Sequence, residues 1–225
     1  MWKYLDGHPK IAARGEMFLA THDGAHTYAA FLSHNVKRRF VHYLSRSSSI
    51  DAYLSQFFSS LGDVDAAGFK LMYNQIDASL ANWLFRHEVR IIHLIRRNIF
   101  KTILSREAKS VRGIAHATDD QAVQDVRLTL NVRRLLRNIS KLERLIGLHA
   151  QRYSRLPYLE VSYEDFVGDP ETTSRSIFRF LGVPPVGDLK MPLKKINPDS
   201  PEMLISNFPA VCKALSKHGY SMFLE

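Results

Sequence analysis

Short apolar runs alternate with longer segments of helical periodicity along this chain, and this alternation restricts the fold more than any other sequence feature. Three runs are rich in apolar and β-branched residues: GFKLM at residues 68–72, VRIIHLI at 89–95 and PYLEVSY at 157–163. Such runs are typical of buried strands. Strands that alternate with helices predict an α/β fold in three layers, with a mainly parallel sheet flanked by helices.

The helical segments lie between and after these strands. Apolar spacing predicts helices over residues 50–61, 77–86, 98–110 and 169–182. The last of these opens with Asp169-Pro170 and closes with Gly182, a start and a stop that fit the chemistry of helix ends. No internal repeat, Gly/Ser linker or shift in composition divides the 225 residues, so the sequence predicts a single domain spanning 1–225.

The positive charge of the chain is concentrated in its middle. Residues 86–155 hold 16 Lys or Arg and 6 Asp or Glu, whereas the whole chain holds 31 and 22. A long helix predicted from about residue 119 to 147 carries part of this excess opposite an apolar stripe that runs from Leu128 to Ile146. The excess predicts an anionic partner. Nucleic acid is the weaker candidate for that partner, because the chain has no nucleic-acid-binding motif and its aromatic residues do not interleave with the basic stripe.

Composition excludes several other classes of protein. A single cysteine, Cys212, excludes an intramolecular disulfide and a Cys-cluster metal site. No run of about 18 uncharged apolar residues is present, so no membrane span is predicted. The N-terminal MWKYLDGHPK resembles neither a signal nor a transit peptide, and the cytoplasm is the expected compartment. His22 and His26 lack a third candidate ligand, so no metal site is predicted.

The junction at residues 89–112 is the most informative stretch for function. An apolar strand ends in Arg96-Arg97, Asn98 is placed to cap the next helix, and Ser105 lies on that helix. The carboxyl edge of a parallel sheet is where open α/β folds bind ligands. Free amides at a helix start, a guanidinium and a hydroxyl suit a phosphate group. His93, inside the strand run, is expected to be a core residue.

Arg97 followed eight residues later by Ser105, directly after an apolar strand, resembles the 3′-phosphate-binding motif of sulfotransferases that use 3′-phosphoadenosine-5′-phosphosulfate (PAPS). The RRN form is most similar to bacterial carbohydrate sulfotransferases of the nodulation type. The segment LEVSYEDFVGDPETTSRSIFRFLGVP also resembles a family segment, whose tyrosine, here Tyr163, lies in the nucleotide pocket. The resemblance implies PAPS as the sulfuryl donor, with no metal, and a P-loop-like sulfotransferase fold.

Three further segments extend the resemblance over nearly the whole chain. LDGHPKIAARGEMF is similar to the stretch after the first helix in tyrosylprotein and carbohydrate sulfotransferases, which implies that Glu16 is the general base. GFKLMYNQI resembles the next strand, whose lysine, here Lys70, points at the sulfuryl group. LKKINPDSPEML resembles the tail that closes over the nucleotide, with Lys194 and Lys195 as candidate contacts. The acceptor is then a carbohydrate or another small hydroxyl or amine compound, bound by variable loops such as residues 20–49 and 111–122.

The chain departs from the family pattern at one point. The family opens with a strand and a Gly/Ser/Thr loop that cradles the 5′-phosphosulfate, and no such sequence occurs here. We therefore expect either a truncated chain or a degenerate relative, and truncation is favoured because the downstream motifs are intact. The 225 residues alone are expected to lack turnover. Two alternatives to an enzyme stay open: a catalytically silent domain that binds adenosine 3′,5′-bisphosphate or a sulfated glycan, and the weaker basic nucleic-acid-binding module.

Overall fold

A computed structural model describes residues 1–19, 26–112, 126–187, 189 and 200–224, which form helices and short strands in alternation. In chain order the elements are α1 (Trp2–Leu5), β1 (Ile11–Glu16), α2 (Tyr28–Ser33), α3 (Val36–Leu44), α4 (Arg46–Ser59), β2 (Ala66–Lys70), α5 (Ala78–Arg86), β3 (Ile91–Ile95), α6 (Ile99–Arg112), α7 (Val132–Tyr153), β4 (Tyr158–Ser162), α8 (Tyr163–Gly168), α9 (Pro170–Leu181), α10 (Pro201–Leu204) and α11 (Phe208–Lys217). Two 3₁₀ turns cover Tyr73–Gln75 and Ser221–Leu224. The predicted α/β class is confirmed.

Contacts between residues divide the chain into two compact units. The first comprises Met1–His93, Tyr153–Glu160 and Asp169–Lys190, and the second comprises Leu94–Arg152, Val161–Gly168 and Met191–Glu225. The single domain expected over residues 1–225 stays a prediction.

The strands of the described residues pair two by two. Strand β1 lies parallel to β2, and β3 pairs with β4. The sequence did not predict β1, because IAARGE begins with only three apolar residues and then turns polar. In the structure those three residues are buried. Its backbone hydrogen bonds with β2 fix it as a strand, and such long-range pairing is invisible to local periodicity.

Each unit has its own apolar core. In the first unit, side chains from the end of β1, α2, α4 and α5 form a cluster rich in aromatic rings: Met17, Phe18, Tyr28, Phe31, Ile50, Tyr53, Leu54, Leu80, Trp83, Leu84, Tyr153 and Leu156. In the second unit, α6 packs with α7, α10 and α11 through Ile99, Phe100, Ile103, Leu104, Ala108, Leu128, Leu130, Leu135, Ile139, Leu204, Ile205, Val211, Leu215 and Phe223. The two cores hold in place α5, which follows β2, and α6, which follows β3.

Local signals predicted some helix ends correctly and others wrongly. The Asp169 side chain accepts a hydrogen bond from Thr172 N at 3.0 Å, and Gly182 ends α9 with φ +76, both as predicted. The long helix predicted from about residue 119 begins instead at Val132. Leu128 forms a parallel bridge with Ile205, and this pairing keeps the segment before α7 extended. Residues 113–125 lie outside the described ranges.

Two further helices, α2 and α3, lie in the segment that the sequence predicted to be variable loop. The N-cap side chains of Thr27 and Asn35 explain where they begin, since each accepts a backbone hydrogen bond from the first turn. The loop prediction is therefore wrong for residues 28–33 and 36–44, and also for residues 46–49, which belong to α4.

Candidate functional site

The carboxyl ends of β1 and β2 bring together the two residues expected to act in catalysis. The strand register pairs Arg14 with Phe69 and Glu16 with Lys70, so Gly15 is an extra residue in a β-bulge. A bulge re-aims the side chain beside it. The Lys70 ammonium donates a hydrogen bond of 2.8 Å to Glu16 Oε1, and the two side chains are 39% and 26% exposed. An adjacent cation favours the ionised form of a carboxylate, which is the form that a general base needs.

Gln75 contacts the second oxygen of the Glu16 carboxylate. Its Nε2 donates to Glu16 Oε2 at 3.0 Å, while its Oε1 accepts a hydrogen bond of 2.9 Å from Met72 N. The 3₁₀ turn Tyr73–Gln75 therefore holds the second carboxylate oxygen, as Lys70 holds the first. Sequence reasoning missed Gln75, because nothing in the spacing from Lys70 indicates that the chain turns back toward β1.

The same 3₁₀ turn is anchored to the neighbouring strands by a chain of polar side chains. The Tyr73 hydroxyl shares a hydrogen bond of 2.6 Å with His93 Nε2, and His93 Nδ1 shares one with the Tyr158 hydroxyl. Tyr158 donates onward to Glu160 Oε2 at 3.3 Å. His93 is buried, so its prediction as a core residue is confirmed.

The phenols of Tyr73 and Tyr158 remain protonated at neutral pH. Burial, followed by the charge of Glu160, raises the pKa of Tyr73 to about 12. The same two causes, burial first, raise the pKa of Tyr158 above its ordinary range. A protonated Tyr158 that donates to Glu160 leaves its oxygen to accept from His93 Nδ1. The Tyr158 hydroxyl therefore links His93 to Glu160 without carrying a charge of its own.

In the second unit, Arg97 and the start of α6 bind two carboxylates of the same unit. Arg97 N and Asn98 N donate to the two carboxylate oxygens of Glu164 at 3.0 and 3.2 Å, and the Arg97 guanidinium pairs with Asp165. Asn98 also caps α6, as predicted, by accepting from Lys101 N at 2.9 Å. The donor set suits a negatively charged, multi-oxygen group, and here two carboxylates take that role.

Arg96 and Tyr163 lie beside these contacts. The Arg96 guanidinium lies over the Tyr163 ring, 4.7 Å from its centre. Arg96 Nε is buried, has no hydrogen-bond acceptor within the described ranges, and lies 3.9 Å from Glu164 Oε1. A cation–π contact fixes both groups in place. Arg96 therefore lies against both the Tyr163 ring and the Glu164 carboxylate, with its Nε shielded from solvent.

Ser105 is a half-buried residue of α6, on the turn after the one that Asn98 caps. The binding of one phosphate by Ser105 together with Arg97 stays a prediction. In the structure the Arg97 guanidinium is paired with Asp165. Lys194 and Lys195 lie outside the described residues. Across the described part of the chain, no group of three or more His, Cys, Asp or Glu is arranged to hold a metal ion. Within the same ranges, no helix combines the length and apolar composition that crossing a membrane requires.

A comparison with known protein families matches residues 2–188 to the sulfotransferase family. Searches of curated proteins and of solved structures gave no match. The family match covers both the strand ends that carry Glu16 and Lys70 and the segments that carry Arg97 and Tyr163. On this evidence the chain belongs to the sulfotransferase family, whose members are enzymes of sulfuryl transfer.

Proposed function

We propose that this domain transfers a sulfuryl group from PAPS to a hydroxyl or amine of a carbohydrate or another small acceptor. The observation that carries the proposal is the ion pair between Lys70 and Glu16, whose 2.8 Å contact joins residues from the ends of two parallel strands. A base beside a cation at a strand end suits a reaction in which a proton leaves the acceptor while negative charge develops nearby.

Each residue of this pair has a distinct role in the proposal. Glu16 removes the proton from the acceptor, with its carboxylate held in orientation by Lys70 and Gln75. Proton transfer to a positioned base contributes about 10² to 10⁴ in rate. Lys70 places a positive charge where negative charge grows during transfer. The Tyr73–His93 contact supports this arrangement indirectly, because it fixes the turn that carries Gln75.

The nucleotide would be held by Arg97, Ser105 and Tyr163, with Lys194 and Lys195 as further candidates. PAPS supplies the activated sulfuryl group when it is bound. The residues present suit an anionic group, since the Arg97 guanidinium and the Arg97 backbone N–H already bind the carboxylates of Asp165 and Glu164. A phosphate at this position would compete with Asp165 for the Arg97 guanidinium and with Glu164 for the backbone N–H groups. Cytoplasmic residence remains a prediction.

The experiment compares Glu16→Gln with the parent in a protein that carries this chain together with the family's 5′-phosphosulfate loop. Glu16→Gln keeps size and polarity but cannot accept the proton. We expect turnover to fall at least about 100-fold, with affinity for adenosine 3′,5′-bisphosphate changed less than about threefold. Glu202→Gln, an exposed acid on α10, is the matched control and should leave turnover unchanged.

The outcomes separate an enzyme from a binding domain. Near-normal turnover in Glu16→Gln would assign the base to another residue. Binding of adenosine 3′,5′-bisphosphate without sulfuryl transfer to any carbohydrate or small amine acceptor would favour a silent domain. Absence of both binding and transfer would reject the proposal for this chain.

A further inference from the structure

Helix α3 of the first unit exposes its apolar side. Its most exposed apolar residues follow helical spacing and share one face: Val36 is 71% exposed, Phe40 62%, Tyr43 86% and Leu44 66%. None of the nine residues of α3 is buried. Large apolar side chains scattered singly on a surface need no explanation, but a contiguous group on one helix face indicates a binding surface.

The side of α3 that packs on the first unit is polar. Arg38 lies over the Phe31 ring, 4.1 Å from its centre, and donates to Gln56 Oε1 at 3.1 Å. His42 Nδ1 shares a hydrogen bond of 3.0 Å with the Tyr28 hydroxyl. These two residues are the most shielded of the helix, at half-buried positions. The usual arrangement, in which an amphipathic helix buries its apolar stripe, is therefore reversed in α3.

Basic side chains flank the exposed apolar face on both sides. At 100° per residue, Lys37 and Arg39 project next to the two edges of the face formed by Val36, Phe40, Tyr43 and Leu44. Both are exposed positions. From residue 24 to residue 50 the sequence contains four Lys or Arg and no Asp or Glu. The sequence on both sides of the exposed apolar face therefore carries a net positive charge.

We propose that α3 docks on an anionic membrane surface, with its apolar face inserted at the boundary of headgroups and acyl chains. Apolar and aromatic residues on one face with Lys and Arg beside them are the pattern of helices that lie in this interface. The stems of Lys37 and Arg39 can run along the apolar region while their charges reach anionic headgroups. This inference does not depend on the proposed sulfuryl transfer.

Two other occupants fit the face less well. A symmetric pair of copies would bring the same surface of each together, so Lys37 and Arg39 would meet like charges with no acid nearby in the sequence. A stable protein partner buries about 800 Å² on each side. One face of a nine-residue helix offers less than that. A bilayer requires no such area, because each inserted side chain adds to the affinity independently.

The experiment is flotation of the 225-residue chain with vesicles of phosphatidylcholine alone and of phosphatidylcholine mixed three to one with phosphatidylserine. We expect binding to the anionic vesicles, little binding to the neutral ones, and loss of binding at high salt. Phe40→Gln with Leu44→Gln should weaken binding about tenfold or more. Circular dichroism should show the parent fold in this variant, since both side chains are exposed.

A second pair of variants tests the charges. Lys37→Gln with Arg39→Gln should weaken binding to the anionic vesicles about 30-fold, from about fivefold for each charge near the surface. Lys213→Gln with Lys217→Gln on α11 removes the same net charge from exposed positions of the second unit and is the matched control. The control should retain most of the binding.

Four results would overturn the proposal. The first is the absence of binding to anionic vesicles, and the second is equal binding to neutral ones. The third is equal loss in both charge variants, which would indicate net charge alone. The fourth is a concentration-dependent dimer in sedimentation that Phe40→Gln with Leu44→Gln dissociates, because α3 would then be an interface between copies.

Discussion

Replacing Asp165 by Asn tests whether Arg97 reads a 3′-phosphate. In the structure the Arg97 guanidinium pairs with Asp165, and the two side chains are 60% and 54% exposed. A phosphate that binds Arg97 competes with this carboxylate for the guanidinium and approaches its negative charge. Asp165→Asn removes the competing charge but keeps the size of the side chain, so we expect tighter binding of adenosine 3′,5′-bisphosphate.

The solvent exposure of the Arg97–Asp165 ion pair sets the expected gain in affinity for adenosine 3′,5′-bisphosphate. Exposed ion pairs contribute about 0.2–1 kcal/mol, so their removal should strengthen binding by about 1.4- to 5-fold. Arg97→Ala should have the opposite and larger effect, about 2–3 kcal/mol or 30- to 150-fold weaker binding, the range for hydrogen bonds with charged groups. Adenosine 5′-phosphate, which lacks the 3′-group, should respond much less to either change.

Titration calorimetry with both nucleotides provides the assay, and a double-mutant cycle provides the control. In the Arg97→Ala background, Asp165→Asn should give a smaller gain, because only the direct repulsion between Asp165 and the phosphate is then removed. Glu171→Gln, which breaks the exposed pair with Arg175 on α9, should leave affinity unchanged. The reasoning is refuted if Asp165→Asn weakens binding, if its gain is undiminished without Arg97, or if both nucleotides respond equally.

Two predictions concern the pH dependence of the first unit. Gln75→Glu keeps the acceptor for Met72 N but places a second carboxylate at Glu16, so the acid limb of the pH–rate profile should move up by about one pH unit or more; an unchanged limb would mean that Glu16 is not the titrating base. The pKa of Tyr73 is raised from 10 to about 12 in the folded state, so its contribution to stability is complete below pH 10 and is lost as the pH rises to about 12. Chemical denaturation should therefore show a shallower loss of stability over that window in Tyr73→Phe, whereas the exposed Tyr43→Phe should behave like the parent.

The sequence determined the features whose causes are local. Apolar runs marked β2, β3 and β4 to within a few residues, because a strand core needs its own apolar side chains. The cap at Asp169 and the stop at Gly182 were predictable for the same reason, since the side chain and the backbone conformation that end a helix belong to the residues at that end. The family resemblance likewise depended on short ordered motifs such as Arg97 with Ser105.

Only the tertiary structure decided what depends on contacts between distant segments. The bulge at Gly15 sets the register that places Glu16 opposite Lys70, 54 residues away, and a slip of one residue would turn the side chain to the other face. Gln75 joins the site because a 3₁₀ turn folds back, and Asp165 holds Arg97 across 68 residues. Local periodicity carries no information on such pairings, because backbone hydrogen bonds and core packing between distant segments select them. The reversed face of α3 has the same origin: its amphipathic pattern is present in the sequence, but the contacts of Arg38 and His42 decide which side faces outward.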